Sequence, residues 1–245
     1  MDNLLYISMT GARETTLAQA TVANNLANAN TTGFKADFSQ FRAMPVYGEG
    51  HPSRAFAMTE KPGYDFSSGS VMTTGRDLDV TIQDQGWLVV LDEQGNEALS
   101  RRGDLQVTAD GELVNGSQQS IVGDGGPMIL PPFEKIEIGR DGTVTVLPLG
   151  AEANAIAVVG RIKLVNPEPE NLVKNSQGLF VDKDGQGFEA DASVSLQSGM
   201  LEGSNVSVVE SLTEMITLSR QFELQVKLMS SVEERGRALD RLLQP

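Results

Sequence analysis

Apolar residues follow three different rhythms along the chain. Near the N-terminus Leu5, Met9, Ala12, Ala23 and Leu26 recur at steps of three and four, with Thr16 and Gln19 filling the stripe between Ala12 and Ala23. That spacing gathers side chains on one face of a helix. It predicts a helix over about residues 3–28, ending before Thr31-Thr32-Gly33, where a glycine can close the last turn. From about residue 76 to 203 the rhythm shortens. Leu78-Asp79-Val80-Thr81-Ile82 and Ile136-Glu137-Ile138 alternate apolar and polar side chains, and Trp87-Leu88-Val89-Val90-Leu91 is a continuous apolar run. Asp-Gly pairs at 110–111, 124–125, 141–142 and 184–185 suit tight turns with positive φ. An all-β central domain of many short strands is expected.

The last 40 residues return to helical spacing. Ser207 and Glu210 are placed to form a capping box, hydroxyl and carboxylate satisfying free amides of the first turn. Val208, Leu212, Met215, Ser219, Phe222, Val226 and Met229 then follow alternating steps of four and three. Beyond Met229 the register slips by one and continues through Val232, Gly236, Leu239 and Leu243. A helix from Ser207 to Leu243 would reach roughly 55 Å at about 1.5 Å per residue. A narrow apolar seam on so long a helix wants a helical partner, and the N-terminal helix is the obvious one. The expected fold class is α+β: an all-β central domain with long N- and C-terminal helices pairing as a coiled-coil-like layer. Four segments follow: 1–45 (N-terminal helix and the loop after it), 46–75 (a Pro/Gly-rich connector), 76–203 (the β domain) and 204–245 (the C-terminal helix).

Charge sharpens this division. The 245-residue chain has a formal net charge of −14, yet residues 1–45 sum to zero and residues 206–245 to −1, so the middle carries −13. Neutral ends can pack against copies of themselves, while an acidic middle stays solvated. Nucleic-acid binding needs clustered Lys and Arg and is not expected. The absence of cysteine excludes disulfides and thiolate metal sites. No stretch approaches the roughly 20 apolar residues of a membrane span, so no membrane insertion is expected. Met1 to Ser8 lack a basic start and a continuous apolar run, so no cleavable signal is expected and export would take another route.

Candidate chemistry is thin. A Ser-His-Asp triad would need the single histidine, His51, which sits between Gly50 and Pro52 and reads as a surface residue. Asp77 and Asp79 lie two apart, as a glycosidase pair on one strand face would, but read as exposed strand-edge acids of an acidic domain. Gly123-Asp124-Gly125-Gly126 follows no nucleotide-binding pattern. Asp182 and Asp184 have part of a calcium-loop look without its glutamate, and position 191 holds Asp191. Arg102-Gly103-Asp104 spells an adhesion tripeptide by chance at a turn. No catalytic residue, metal ligand or cofactor is expected. The alternatives to a structural subunit are a soluble β-domain enzyme, which concentration-dependent filament formation would separate from it, and a coiled-coil adaptor, which would give a defined small oligomer through the C-terminal helix alone.

Residues 24–35, Asn-Asn-Leu-Ala-Asn-Ala-Asn-Thr-Thr-Gly-Phe-Lys, resemble the signature of flagellar rod and hook axial proteins. The resemblance continues through Leu78 to Ile82, Gly86 to Val90, Gly199 to Val206 and the long helix, in order and spacing over nearly the whole chain. It implies paired terminal helices in an inner layer, an outward β domain, and helical stacking of copies into a hollow basal-body rod. That rod crosses the periplasm, transmits torque and conducts exported subunits. The implied partners are copies of itself, other rod proteins, proximal and distal, and the flagellar type III export apparatus. The stretch from Phe41 to Gly48 and the pair Gly86-Trp87 point to a proximal-rod member, with a distal-rod member as the alternative. On this resemblance the polymerisation interface draws on Leu5, Met9, Ala12, Asn24, Asn25, Leu26, Asn28, Asn30, Gly33 and Phe34. From the C-terminal helix it takes Val208, Leu212, Met215, Phe222, Val226, Met229, Leu239 and Leu243. The asparagines also have a physical reading. Asn28 and Asn30 help stop the helix, since Asn competes for backbone bonds, and Asn24 and Asn25 could fix packing register.

Overall fold

The computed structural model describes residues 2–45, 55–60, 63–83, 85–150, 155–185 and 187–243, with side chains from 5 to 237 within those ranges. The fold is α+β, with two long helices and many short strands among the described residues. It divides into a helical unit of Met1–Ala29, Lys35–Asp65 and Val206–Pro245, and a β unit of Asn30–Phe34 and Phe66–Asn205. The chain therefore passes between the units four times.

The helical unit is built on α1 (Asp2–Ala27) and α2 (Val208–Leu243). Ser207 Oγ accepts the Glu210 N–H at 3.4 Å, capping the first turn of α2. The buried face of α1 is small and polar: Ser8, Ala12, Thr15, Ala18 and Val22. Ala18 and Val22 pack on Leu218 and Met215 of α2. Thr15 Oγ1 donates to Gln225 Oε1 at 3.3 Å and Gln19 Nε2 to Ser219 Oγ at 3.2 Å. Residue numbers rise on one helix as they fall on the other, so the two run antiparallel.

The face α1 turns to α2 is about one residue round from the apolar stripe read in the sequence, and Leu5 and Met9 are exposed. A Cβ at Gly11 would lie 2.8 Å from Gln225 Nε2, so the glycine leaves room for the Gln225 side chain in the seam. On α2 the less exposed positions are Ser211, Met215, Leu218, Gln225, Met229, Ser231, Val232 and Gly236, and all but Ser231 follow a four–three repeat that passes through Phe222 without a slip.

Strands β1 (Gln40–Pro45) and β2 (Ala55–Glu60) form an antiparallel hairpin, Gln40 opposite Glu60 and Pro45 opposite Ala55. Glu14 on α1 holds β2: its Oε2 accepts the Thr59 N–H at 2.9 Å, and its carbonyl accepts Thr59 Oγ1 at 3.0 Å. These bonds let a carboxylate sit buried on a helix. Residues 46–54, including His51, lie outside the described residues.

The β unit contains β3 (Val71–Thr73), β4 (Val80–Ile82), β5 (Trp87–Leu91) and β6 (Glu97–Ser100), followed by further short strands. β5 and β6 lie inside a five-stranded antiparallel sheet. Trp87 to Val90 are buried on both faces, which explains their unbroken apolar run. Leu88, Val90, Ile121, Ile162 and Leu196 anchor the main core. Gly111, Gly142 and Gly185 take the positive φ expected of Asp-Gly turns, whereas at 124–125 the positive φ, 114°, falls on Gly126, which closes the hairpin opposite Gly123.

One expectation is overturned. Asp77 and Asp79 do not share an exposed strand face. Asp77 lies in a turn and is exposed, while Asp79 is buried because its backbone bridges Asp104. Arg76 supplies the charge that makes this burial tolerable, with Nη2 3.0 Å from Asp79 Oδ1.

Candidate assembly interface

The signature segment 24–35 is held by backbone bonds at each step. Asn28 continues the last turn of α1 by its N–H to the Asn24 carbonyl at 3.1 Å and repeats the bond with Nδ2 at 3.0 Å. Asn25 does not work in the helix seam. Its amide donates to the Asp37 carbonyl and accepts the Asp37 N–H, both at 2.9 Å, mimicking a strand edge. Within the β unit, Gly33 does not close the helix, as its position suggested, but gives its N–H to the Glu202 carbonyl at 2.8 Å. Its φ of +67° brings the backbone against Arg101, where a Cβ would meet the carbonyl carbon at 2.3 Å. Phe34 lies under the Lys174 ammonium, 4.3 Å from the ring centroid. Phe66 packs edge-on to Trp87, with ring centroids 5.9 Å apart, and Trp87 leans on Phe180 at 4.9 Å.

Beneath this loop lies an ion pair that no periodicity could have announced. Arg101 Nε donates to Glu202 Oε2 at 2.8 Å, with side chains 4% and 2% exposed. Arg101 also donates to the Gly86 carbonyl at 3.0 Å and the Ile82 carbonyl at 3.1 Å. Glu202 Oε1 accepts the Gly69 N–H at 3.0 Å. Arg102-Gly103-Asp104 closes on itself, with Arg102 Nε and Nη2 on the two Asp104 oxygens at 2.7 and 2.9 Å. Burial opposes ionisation of Asp104, but the Arg102 guanidinium outweighs it and holds the carboxyl below its ordinary 3.8. A depressed carboxyl stabilises the fold above its unfolded value, and that contribution is lost as pH falls through the folded value. Urea unfolding followed at Trp87 should show stability falling from about pH 4 downward, and less steeply in Asp104→Asn.

The residues expected at the polymerisation interface do not share one surface. Ala12 and Met215 belong to the α1–α2 seam. Gly33 and Phe34 are docked on the β unit, as described above. Leu5, Met9, Val208, Leu212, Phe222 and Val226 stay exposed on the helices, with Met9 at 54% and Val226 at 42%. Tyr6, Leu17, Val209, Ile216, Leu224 and Leu228 are exposed beside them. Asn24 and Asn30 are exposed, Leu26, Asn28 and Met229 half-buried. Leu239 and Leu243 belong to α2, but their side chains lie outside the described ones. Reasoning from sequence missed Glu14, Gly69, Arg101 and Glu202. Glu14 and Glu202 were legible only as charges, and their partners lie 45 and 101 residues away.

No helix among the described residues is long and apolar enough to cross a membrane. Two long helices with apolar side chains open to solvent, in a chain that also folds an acidic β unit, define a class: structural subunits made for assembly. Three family models match the chain. They are Flagella basal body rod protein over residues 5–35, Flagellar hook protein FlgE/F/G D1 domain over 81–146, and Flagellar basal body rod FlgEFG protein C-terminal over 197–242. The chain is 40% identical over 250 residues to the flagellar basal-body rod protein FlgF of Salmonella typhimurium, covering 99% of each. It is 38% identical to FlgF of Escherichia coli at the same coverage. It is 30% identical to the rod protein FlgG of Agrobacterium fabrum, over 94% of this chain and 95% of that one. The chain belongs to the FlgF family of flagellar basal-body rod proteins. It is a structural subunit of the rod, not an enzyme.

Proposed function

We propose that the chain polymerises into the proximal rod through the open apolar faces of α1 and α2, which join those of neighbouring copies in a coiled-coil-like inner layer. One observation carries this reading: Leu5, Met9, Val208, Leu212, Phe222 and Val226 expose apolar surface along both helices of the single chain. Apolar area returns roughly 25 cal/mol per Å² when it leaves water, so such faces favour association. The near-neutral charge of both ends supports it, since close packing there meets little repulsion, while the −13 middle stays outward. The segments proposed at the start (1–45, 46–75, 76–203 and 204–245) divide the same labour. The partners are copies of this chain and adjoining rod proteins, delivered across the periplasm by the flagellar type III apparatus. The proximal position rests on the stretch from Phe41 to Gly48 and the pair Gly86-Trp87, and rod proteins named FlgF and FlgG match over similar spans. Cryo-electron microscopy of isolated basal bodies decides between them. Density for this chain at the base of the rod is expected, and density confined to its outer end would move it to the distal rod.

A further inference from the structure

We propose that Arg101 and Glu202 are positioning residues for rod assembly, because their buried ion pair sets the path by which the chain leaves the β unit. Three of the segments that connect the units converge on Glu202. Its carbonyl takes the Gly33 N–H, and its carboxylate takes the Gly69 N–H. Gly203, the next residue, donates its N–H to the Ser70 carbonyl at 2.7 Å, and Asn205 donates to the Phe34 carbonyl at 3.4 Å. Arg101 ties this hub to the core through the Ile82 and Gly86 carbonyls, at the end of β4 and the start of β5.

There is no slack in the arrangement. A Cβ at Gly69 would lie 2.0 Å from the Gly203 carbonyl oxygen, and one at Gly33 would strike the Arg101 backbone. Stability alone does not call for charge here. A buried ion pair contributes about as much as well-packed apolar residues in its place. What the pair adds is direction: a planar guanidinium fork and a two-oxygen carboxylate fix three backbone strands at set angles. A subunit whose chain left the β unit along a variable path would enter the polymer with its outer part misplaced.

The proposal rests on the reading that the helices polymerise, and its first readout does not depend on that reading. The test uses Arg101→Lys in the full chain, which keeps the charge but loses the fork. Glu202→Gln, which keeps an acceptor for Gly69 but breaks the ionic bond, is run beside it. Amide exchange at Gly33 and Gly69 is expected to speed up by about tenfold or more, while the Leu91 and Ile121 amides of the core keep their protection. Trp87, the single tryptophan, lies 5.9 Å from the Arg101 guanidinium and should change its emission in both variants. Swimming should fall although the protein is exported at normal levels. Unchanged exchange at Gly33 and Gly69 would overturn the proposal. So would faster exchange with normal rods and swimming, and so would loss of protection throughout the core, which would make the pair a matter of stability alone.

Discussion

Val226→Asp is expected to stop swimming while leaving the thermal unfolding of the β unit unchanged. Val226 stands on the open face of α2 between Phe222 and Met229 and is 42% exposed in the single chain. An aspartate there keeps its water, so the effect on the isolated protein should stay within about 0.5 kcal/mol. In a packed helical layer the same carboxylate must be buried charged or take up a proton, and either costs several kcal/mol. Every copy carries the defect, so the loss recurs at each contact along the rod. Lys227→Asp, one position round the helix, is the control. A charge on a solvated face couples weakly, and its effect should be milder. Trp87 belongs to the β unit, so its fluorescence during heating reports that unit, and a swimming and rod-assembly assay reports the helices. Normal swimming by Val226→Asp, or early melting of the β unit, would show that this face is not the polymerisation surface.

The second large effect is expected from Gly33→Ala. Two costs add at this position. A φ of +67° is unfavourable for alanine by roughly 1–2 kcal/mol. The new methyl would lie 2.3 Å from the Arg101 carbonyl carbon, 2.4 Å from its oxygen and 2.6 Å from the Arg102 nitrogen. All three are backbone atoms that no rotamer change can move aside. The loop must lift, and the bond from the Gly33 N–H to the Glu202 carbonyl goes with it. A loss of several kcal/mol corresponds to a fall in Tm of up to about 10 °C for a unit of this size, at roughly 2–4 °C per kcal/mol. Gly178→Ala separates the two costs. Its φ is +80°, but nothing lies within 4 Å of the added methyl, so only the strain of the backbone remains. A Gly33→Ala protein no less stable than Gly178→Ala would mean that the close approach to Arg101 does not constrain the loop.

Much of the architecture was legible in the chain because it is written in local periodicity. The alternation around Val80 and the apolar run from Trp87 to Leu91 became buried strands, and helices stand at both ends. What was not legible depends on close approach or on distant partners. Hydropathy put the apolar stripe of α1 through Leu5 and Met9, but the helix turns Ser8, Ala12, Thr15 and Ala18 to α2, where side-chain hydrogen bonds from Thr15 and Gln19 cross the seam. The slip read after Met229 came from following Val226 rather than Gln225, a polar residue that occupies the seam against Gly11 and Thr15. Asp79 looked like a surface acid because nothing near it in sequence reveals the bridge to Asp104. The hairpin of β1 and β2 was hidden among prolines and glycines, and Glu14, which secures it, has its partner 45 residues away.

The bond between the Asn205 N–H and the Phe34 carbonyl bears on the order in which the chain folds. Phe34 and Asn205 are separated by roughly 170 residues, and closing a flexible loop of that length costs about 4–5 kcal/mol from the (3/2)RT ln n relation. Two helices that share only a small apolar cluster of Ala18, Val22, Met215 and Leu218 gain little with which to offset that cost. Once the β unit has folded, its exits lie side by side, and the long loop behaves as a short tether. The helices then meet at a high effective concentration. Folding of the β unit is therefore expected to come first, and pulse-labelled amide exchange should protect Leu91 and Ile121 before the amides of α1 and α2.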